Sequence, residues 1–430
     1  MRFYFFCLPF LFSLPLLAQP KTNDFLAKIL LQNKDSLFQK VLTHPDEYRL
    51  QIIYTQINRD KNNQPHFTHY SFHLDPQLYF YPASTVKLPL AALSLEKIDE
   101  LHQKGINKFT SMQFDSAYPR QTKEWYDSTS QTGLPSIAQF IRKAFLISDN
   151  DAYNRMYQFV GQKTINEKLH QKGYFNTRIV RQFMGFTDDE NRHTNPIRFF
   201  DAKTNLLYQQ PLAYNTDSFR FPAHVYVGKG YLDKNDSLIN EPMDFAKHNT
   251  IPLYDLQQML QSILFPLSVP PKQRFHLTKQ DYDFLQQYLS QYPSETPYPK
   301  YDTTEYYDSY VKFFFNDSNH HAMPRNIRVF NKVGWAYGFL SDVSYVVDFA
   351  NNVEFMLAAT IYVNKDSILN DEKYEYESVG QPFLYQLGQN IYNYELHRKR
   401  TVVPNLSNFK IQYEHRDPND ARPAIKNADN

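Results

Sequence analysis

The chain has 430 residues, 42% of them hydrophobic and 21% charged, with 35 Phe and 33 Tyr but only 11 Gly. That length and balance exclude a disordered or fibrous protein and leave room for one large domain or two ordinary ones. The formal charge is +1, and no basic patch argues for a nucleic acid or an anionic membrane as partner.

The first residues, "MRFYFFCLPFLFSLPLLAQP", place Arg2 before an apolar run and Leu17-Ala18 before polar sequence. They predict a signal peptide over 1–18, cleaved after Ala18, and hence a secreted, periplasmic protein with no membrane anchor after cleavage. Cys7 is the only cysteine. It lies inside the apolar run, so a lipoprotein box is not supported and the mature chain has no disulfide.

Apolar spacing over 22–42 predicts an amphipathic helix. Residues 48–57 and 66–74 read as strands around the polar loop "NRDKNNQP". From 83 to about 180 the pattern is helical. Residues 181–250 are polar and irregular, too long for a plain connection, and predict a functional loop or a small structure of their own. Helical spacing returns at 252–266 and 278–290. Strand patterns follow at 327–333, 342–349 and 353–363, and a last helix at 375–396. Residues 414–430 read as a flexible tail.

The fold class expected is α/β (α+β). A mixed antiparallel sheet, drawn from 45–75 and 325–365, is flanked by the N- and C-terminal helices, and an all-helical subdomain is inserted over about 83–290.

The stretch "YPASTVKLPLAAL" sets Ser84 and Lys87 three positions apart at a helix start. On one helix face the amine reaches the hydroxyl. Burial lowers a lysine pKa and frees a neutral amine to act as base. The ordinary alternative is a capping serine with a snorkelling lysine. Pro89 removes a helix N–H, a cost that a plain core helix would avoid. Ser148-Asp149-Asn150 follows an apolar helix end and reads otherwise as a helix cap. Lys332-Val333-Gly334 ends one strand before another, and reads otherwise as a hairpin.

In this order, the three motifs resemble those of penicillin-recognising serine hydrolases, most closely the class A β-lactamases, over about residues 22–398. The resemblance implies a cofactor-free enzyme, most simply one that hydrolyses the β-lactam amide. Ser84 would be the nucleophile, Lys87 its base, and Ser148 the proton shuttle beside Lys332. Asn150 would bind substrate, Gly334 would let it approach, and the backbone N–H groups of Ser84 and Trp335 would form the oxyanion hole. The ligand would be a small-molecule β-lactam or a peptidoglycan stem peptide, and the protein a monomer.

Departures from the family pattern keep rivals open. Val333 stands where a hydroxyl residue is usual, and Trp335 and Tyr337 are bulky. The Glu-x-x-x-Asn pattern of the deacylating glutamate is missing, since Glu190 and Asn195 are five apart. Glu190, with Asp188 and Asp189, is a candidate base or simply part of a solvated acidic loop. The rivals are a D-Ala-D-Ala carboxypeptidase or transpeptidase, another amidase, and a penicillin- or cell-wall-binding protein. A metal site at His69 and His73 lacks a third ligand of suitable spacing. The Tyr-rich run 298–315 reads as aromatic packing.

Overall fold

A computed structural model describes residues 22–428 apart from 184 and 318. The leader expected over 1–18 lies outside the described residues. No helix among the described residues is long and apolar enough to cross a membrane.

The chain opens with helices α1 (Asp24–Leu30) and α2 (Ser36–Thr43), then strands β1 (Gln51–Arg59) and β2 (Pro65–Phe72). The helical block holds α3 (Lys87–Glu100), α4 (Ile137–Leu146), α5 (Asn150–Val160) and α6 (Gln162–Gln171), with β3 (Ser111–Phe114) between the first two. Short strands follow: β4 (Ile197–Phe200), β5 (Leu206–Gln210), β6 (Tyr226–Val227), β7 (Gly230–Leu232), β8 (Leu238–Ile239) and β9 (Met243–Asp244). Then come α7 (Leu253–Leu264), α8 (Lys279–Ser290), β10 (Ile327–Ala336), β11 (Phe339–Asp348), β12 (Val353–Tyr362), β13 (Ile368–Leu369) and α9 (Gln381–His397).

One helix was expected over 22–42, but two form. Asn33 accepts the Asp35 N–H, and Asp35 then caps α2 through the Phe38 N–H, so local side-chain bonds outcompete a continuous helix.

The main sheet has the order β10-β11-β12-β1-β2, and its neighbours pair antiparallel. It divides two cores. Val333, Leu340, Phe355, Leu357 and Ile361 face α1, α2 and α9; Phe330, Val343, Tyr345, Met356 and Ala358 face the helical block. Burial on both faces explains why "VEFMLAATIY" is almost uninterruptedly apolar. Gly388 of α9 is required by contact: a Cβ there would lie 2.2 Å from the Phe314 carbonyl oxygen.

The inserted subdomain is not all-helical, which corrects the expectation for 83–290. β3, β4 and β5 form a three-stranded sheet. The 181–250 stretch therefore has small structure of its own, and its β7 pairs with β13 from the loop after β12. Each of these strands is at most five residues long, too short for an alternation to stand out in the sequence.

The expected flexible tail, 414–430, is held along its described part. Arg416 donates to the carbonyls of Pro293, Thr296 and Tyr301, and Ile425 exchanges backbone hydrogen bonds with Lys300 and Asp302. Arg422 likewise donates to the Pro297 carbonyl at 2.9 Å. Packing also continues past residue 398, where Phe409 meets Tyr345 at 4.8 Å and Phe265 at 5.2 Å. In the Tyr-rich run, Tyr301, Tyr306 and Tyr310 contact one another in sequence.

His69 bonds Thr55 Oγ1 at 2.9 Å, and His73 bonds the Leu50 carbonyl and Asp46. Burial pushes the His69 imidazole down to about 4. In the unfolded chain it titrates near ~6.5, so between these values the unfolded state binds more protons. Its stabilising contribution is complete above about 6.5 and is lost as pH falls toward 4. His69→Gln should therefore lose less stability than the parent between pH 7 and pH 5, read as urea midpoints. An equal or larger loss in the variant contradicts the assignment.

Candidate active site

Residues Ala83–Val86 form a tight 3-10 turn that runs into α3. Thr85 closes the turn with its N–H and its hydroxyl, both donated to the Pro82 carbonyl. Ala83 has φ +42, an uncommon conformation that sets Ser84 in the turn leading into α3. Pro89 falls in the first turn of α3, where a missing N–H costs little. The cost expected of it from the sequence is absent. α3 is buried almost all round, and Lys87 with it.

Such a buried amine must spend its hydrogens on acceptors. Lys87 Nζ lies 2.7 Å from Ser84 Oγ, 2.8 Å from Asn150 Oδ1 and 3.2 Å from Ser148 Oγ, and it also donates to the Ser148 carbonyl. The Ser-Asp-Asn motif caps a helix and serves the site at once. Asp149 caps α5 through the Ala152 N–H, while Ser148 takes φ +70 and turns its hydroxyl to the lysines. Lys332 donates to Ser148 Oγ at 2.9 Å and to the Val333 carbonyl at 2.9 Å. Ser148 Oγ thus accepts from two amines, which leaves its own hydrogen to be donated elsewhere.

β10 is an edge strand of the sheet, and Gly334 sets how near it comes. A Cβ on Gly334 would lie 2.6 Å from the Pro82 oxygen and 2.9 Å from the Ser84 nitrogen. Only glycine permits this approach, and it brings the Gly334–Trp335 edge beside the Ser84 amide. Ser84, Lys87, Ser148, Asn150, Lys332 and Gly334 are therefore all brought together. Trp335 lines the same cleft, of about 990 Å³, as Ser84, Ser148 and Asn150.

Val333 is fully buried and points into the core that faces α9, so it offers no polar contact to a ligand. Tyr337 lines the cleft.

Glu190 does not line the cleft, contrary to its candidacy as deacylation base. Its carboxylate accepts from the Thr187 N–H at 2.7 Å and from Arg120 at 3.1 Å. The Thr187 backbone hydrogen bond, then Arg120, hold it below the usual carboxylate range. Asp189 accepts from the Tyr118 and Tyr214 hydroxyls, and Asp188 pairs with Lys247 and Arg181. Asn195 is buried and donates to the Asp115 and Thr122 carbonyls. The acidic run is a tied loop. Glu190→Gln should leave the rates of acylation and turnover within about twofold of the parent, because its carboxylate stands outside the cleft; a loss of a hundredfold would restore it as a base.

Several cleft residues were not singled out for this role by the sequence. Phe183 places its ring 5.1 Å from Lys87 Nζ. His248 and Tyr81 pack edge to face, and Tyr374, Tyr376 and Glu372 come from the loop after β12. Burial, and next Arg181, push the His248 imidazole down to about 4. Asn249 accepts from the Val180 and Arg181 N–H groups and so fixes this part of the loop. These residues come from separate segments, and no spacing links them.

Residues 38–209 match the model of the beta-lactamase enzyme family (Beta-lactamase2). This bears out the resemblance read from the motifs, for the segment that holds Ser84, Lys87, Ser148 and Asn150. It supports a hydrolase of β-lactamase type. Among solved structures, a β-lactamase from Burkholderia ambifaria is 13% identical, with 83% of this chain and 99% of that chain covered and a TM-score of 0.45. A class A β-lactamase from Clostridium kluyveri DSM 555 is 15% identical, with 84% and 99% covered and a TM-score of 0.45. A β-lactamase from Francisella tularensis is 13% identical, with 83% and 97% covered and a TM-score of 0.46. No curated protein matches the chain.

Proposed function

We propose that this chain with a β-lactamase-family segment is an exported serine hydrolase that opens β-lactam amides through an acyl-enzyme on Ser84. The observation that carries the reading is Lys87 Nζ at 2.7 Å from Ser84 Oγ, with both Lys87 and Lys332 on Ser148 Oγ. Lys87 takes the Ser84 proton as Oγ attacks the carbonyl carbon. The backbone N–H groups of Ser84 and Trp335 receive the oxyanion. As the C–N bond breaks, Ser148 gives its proton to the leaving nitrogen and is reprotonated from the lysines beside it. Water then cleaves the ester and releases Ser84. Asn150 holds Lys87 through Oδ1 and turns its NH₂ to the ligand. Export rests on the leader-like residues 1–18.

A second reading is favoured by one feature. Glu372 is the only carboxylate among the described residues that line the cleft, it sits exposed on the rim, and Phe183 stands next to Lys87. An acyl-enzyme short of a water-activating group would persist, as in a penicillin-binding protein or a peptidase that passes its acyl group to an amine.

A time course of intact mass with a penicillin, with Ser84→Ala as control, separates the cases. An adduct that forms and decays within minutes supports the hydrolase. One that lasts for hours supports the second reading. No adduct, or an equal adduct on Ser84→Ala, overturns both.

A further inference from the structure

The cleft has a direction that β10 reveals. Lys332 stands at the Ser148 end, Gly334 passes over the Pro82–Ser84 backbone, and Tyr337, beyond the strand, packs edge to face on Tyr81, Phe245 and His248. Ser148 is the proton donor to the leaving nitrogen, so the leaving group lies at the Lys332 end. The acyl group must then extend toward Tyr337. This orientation rests on the function proposed above.

The two ends differ in charge chemistry. At the leaving-group end Val333 is buried without a hydroxyl, and Lys332 bonds Ser148 and the Val333 carbonyl. At the acyl end Arg181 lines the cleft beside Tyr81, His248 and Tyr337. Its guanidinium is aimed by its neighbours. Nη1 lies 3.3 Å from His248 Nε2 and Nη2 donates to the Phe186 carbonyl at 3.2 Å. Because arginine cannot accept a hydrogen bond, His248 meets it as a neutral imidazole that accepts at Nε2. Asp188 lies 3.5 Å from Arg181 but is shared with Lys247 at 3.0 Å, so it does not cancel both cations. A planar guanidinium beside aromatic rings suits a carboxylate that it can hold through two N–H groups.

We propose that the cleft selects acyl donors whose acyl chain ends in a carboxylate, with Arg181 as the specificity-determining cation. Glu372 on the exposed rim is the competing charge, and it would favour an ammonium instead.

The test uses three penams that differ only in the acyl chain: hexanoyl, adipoyl and 6-aminohexanoyl. The readout is the second-order rate of adduct formation on the full chain, by intact mass. Adipoyl should exceed hexanoyl by about tenfold, the worth of one charge-assisted contact, and 6-aminohexanoyl should be slowest. In Arg181→Gln the adipoyl-to-hexanoyl ratio should fall to about one, and Arg181→Lys should keep part of it because the charge remains without the fork. Equal rates in the parent, a fastest 6-aminohexanoyl donor, or a ratio that survives Arg181→Gln overturns the inference. If Arg181→Gln does not fold, the order of rates in the parent still decides. Equal labelling by all three donors removes only this inference, whereas no labelling by any donor removes the acyl-enzyme reading as well.

Discussion

Lys87→Met slows acylation of Ser84 by about a thousandfold, within the range of a lost general base. The amine has no substitute in the site: Lys332 is seated on Ser148 and the Val333 carbonyl, and His248 lies among Tyr81, Phe245 and Tyr337. Methionine roughly keeps the volume of the stem, so the packing of α3 survives. The Asn150 Oδ1 and the Ser148 carbonyl lose the amine, which costs about 1–3 kcal/mol of stability. The measurement is the rate of adduct formation alongside a urea midpoint. A folded variant that acylates at the parent rate would show that Lys87 is not the base.

Gly334→Ala is the second large effect. The added methyl meets backbone on every near side: the Pro82 oxygen at 2.6 Å, the Ser84 nitrogen at 2.9 Å and the Thr85 nitrogen at 3.0 Å. No side chain can rotate away to make room. Either β10 retreats, taking the Trp335 N–H with it, or the turn that carries Ser84 moves. Displacement of this kind costs about a hundredfold in rate, and the overpacking costs about 1–3 kcal/mol. Acylation kinetics should fall far more than the thermal midpoint suggests. A variant with near-parent acylation would mean that the oxyanion is not held between Ser84 and Trp335.

What could be read in the sequence was whatever one segment carries alone. Ser84 with Lys87, Ser148 with Asn150, and Lys332 with Gly334 are local pairs whose spacing survives folding. The main-sheet strands were legible because their apolar runs are long, and the terminal helices because one face of each is apolar. The break at Asn33–Asp35 was not, because it depends on side-chain caps that compete with helix propensity. β3, β4 and β5 were missed because short strands have little period to show. Glu190 was a candidate from its acidic run alone, yet Arg120, from a distant loop, pairs with it outside the cleft. Arg181, Phe183 and His248 reach the cleft on a loop folded back on itself, tied by Asn249 and by the Arg178–Thr250 backbone pair.

The most direct test of the account is to locate the acyl group. The chain would be quenched soon after mixing with a penicillin, digested, and its peptides sequenced by mass spectrometry. The adduct is expected on Ser84, in the peptide that also holds Lys87. An adduct on Ser148, on a lysine, or elsewhere would contradict it.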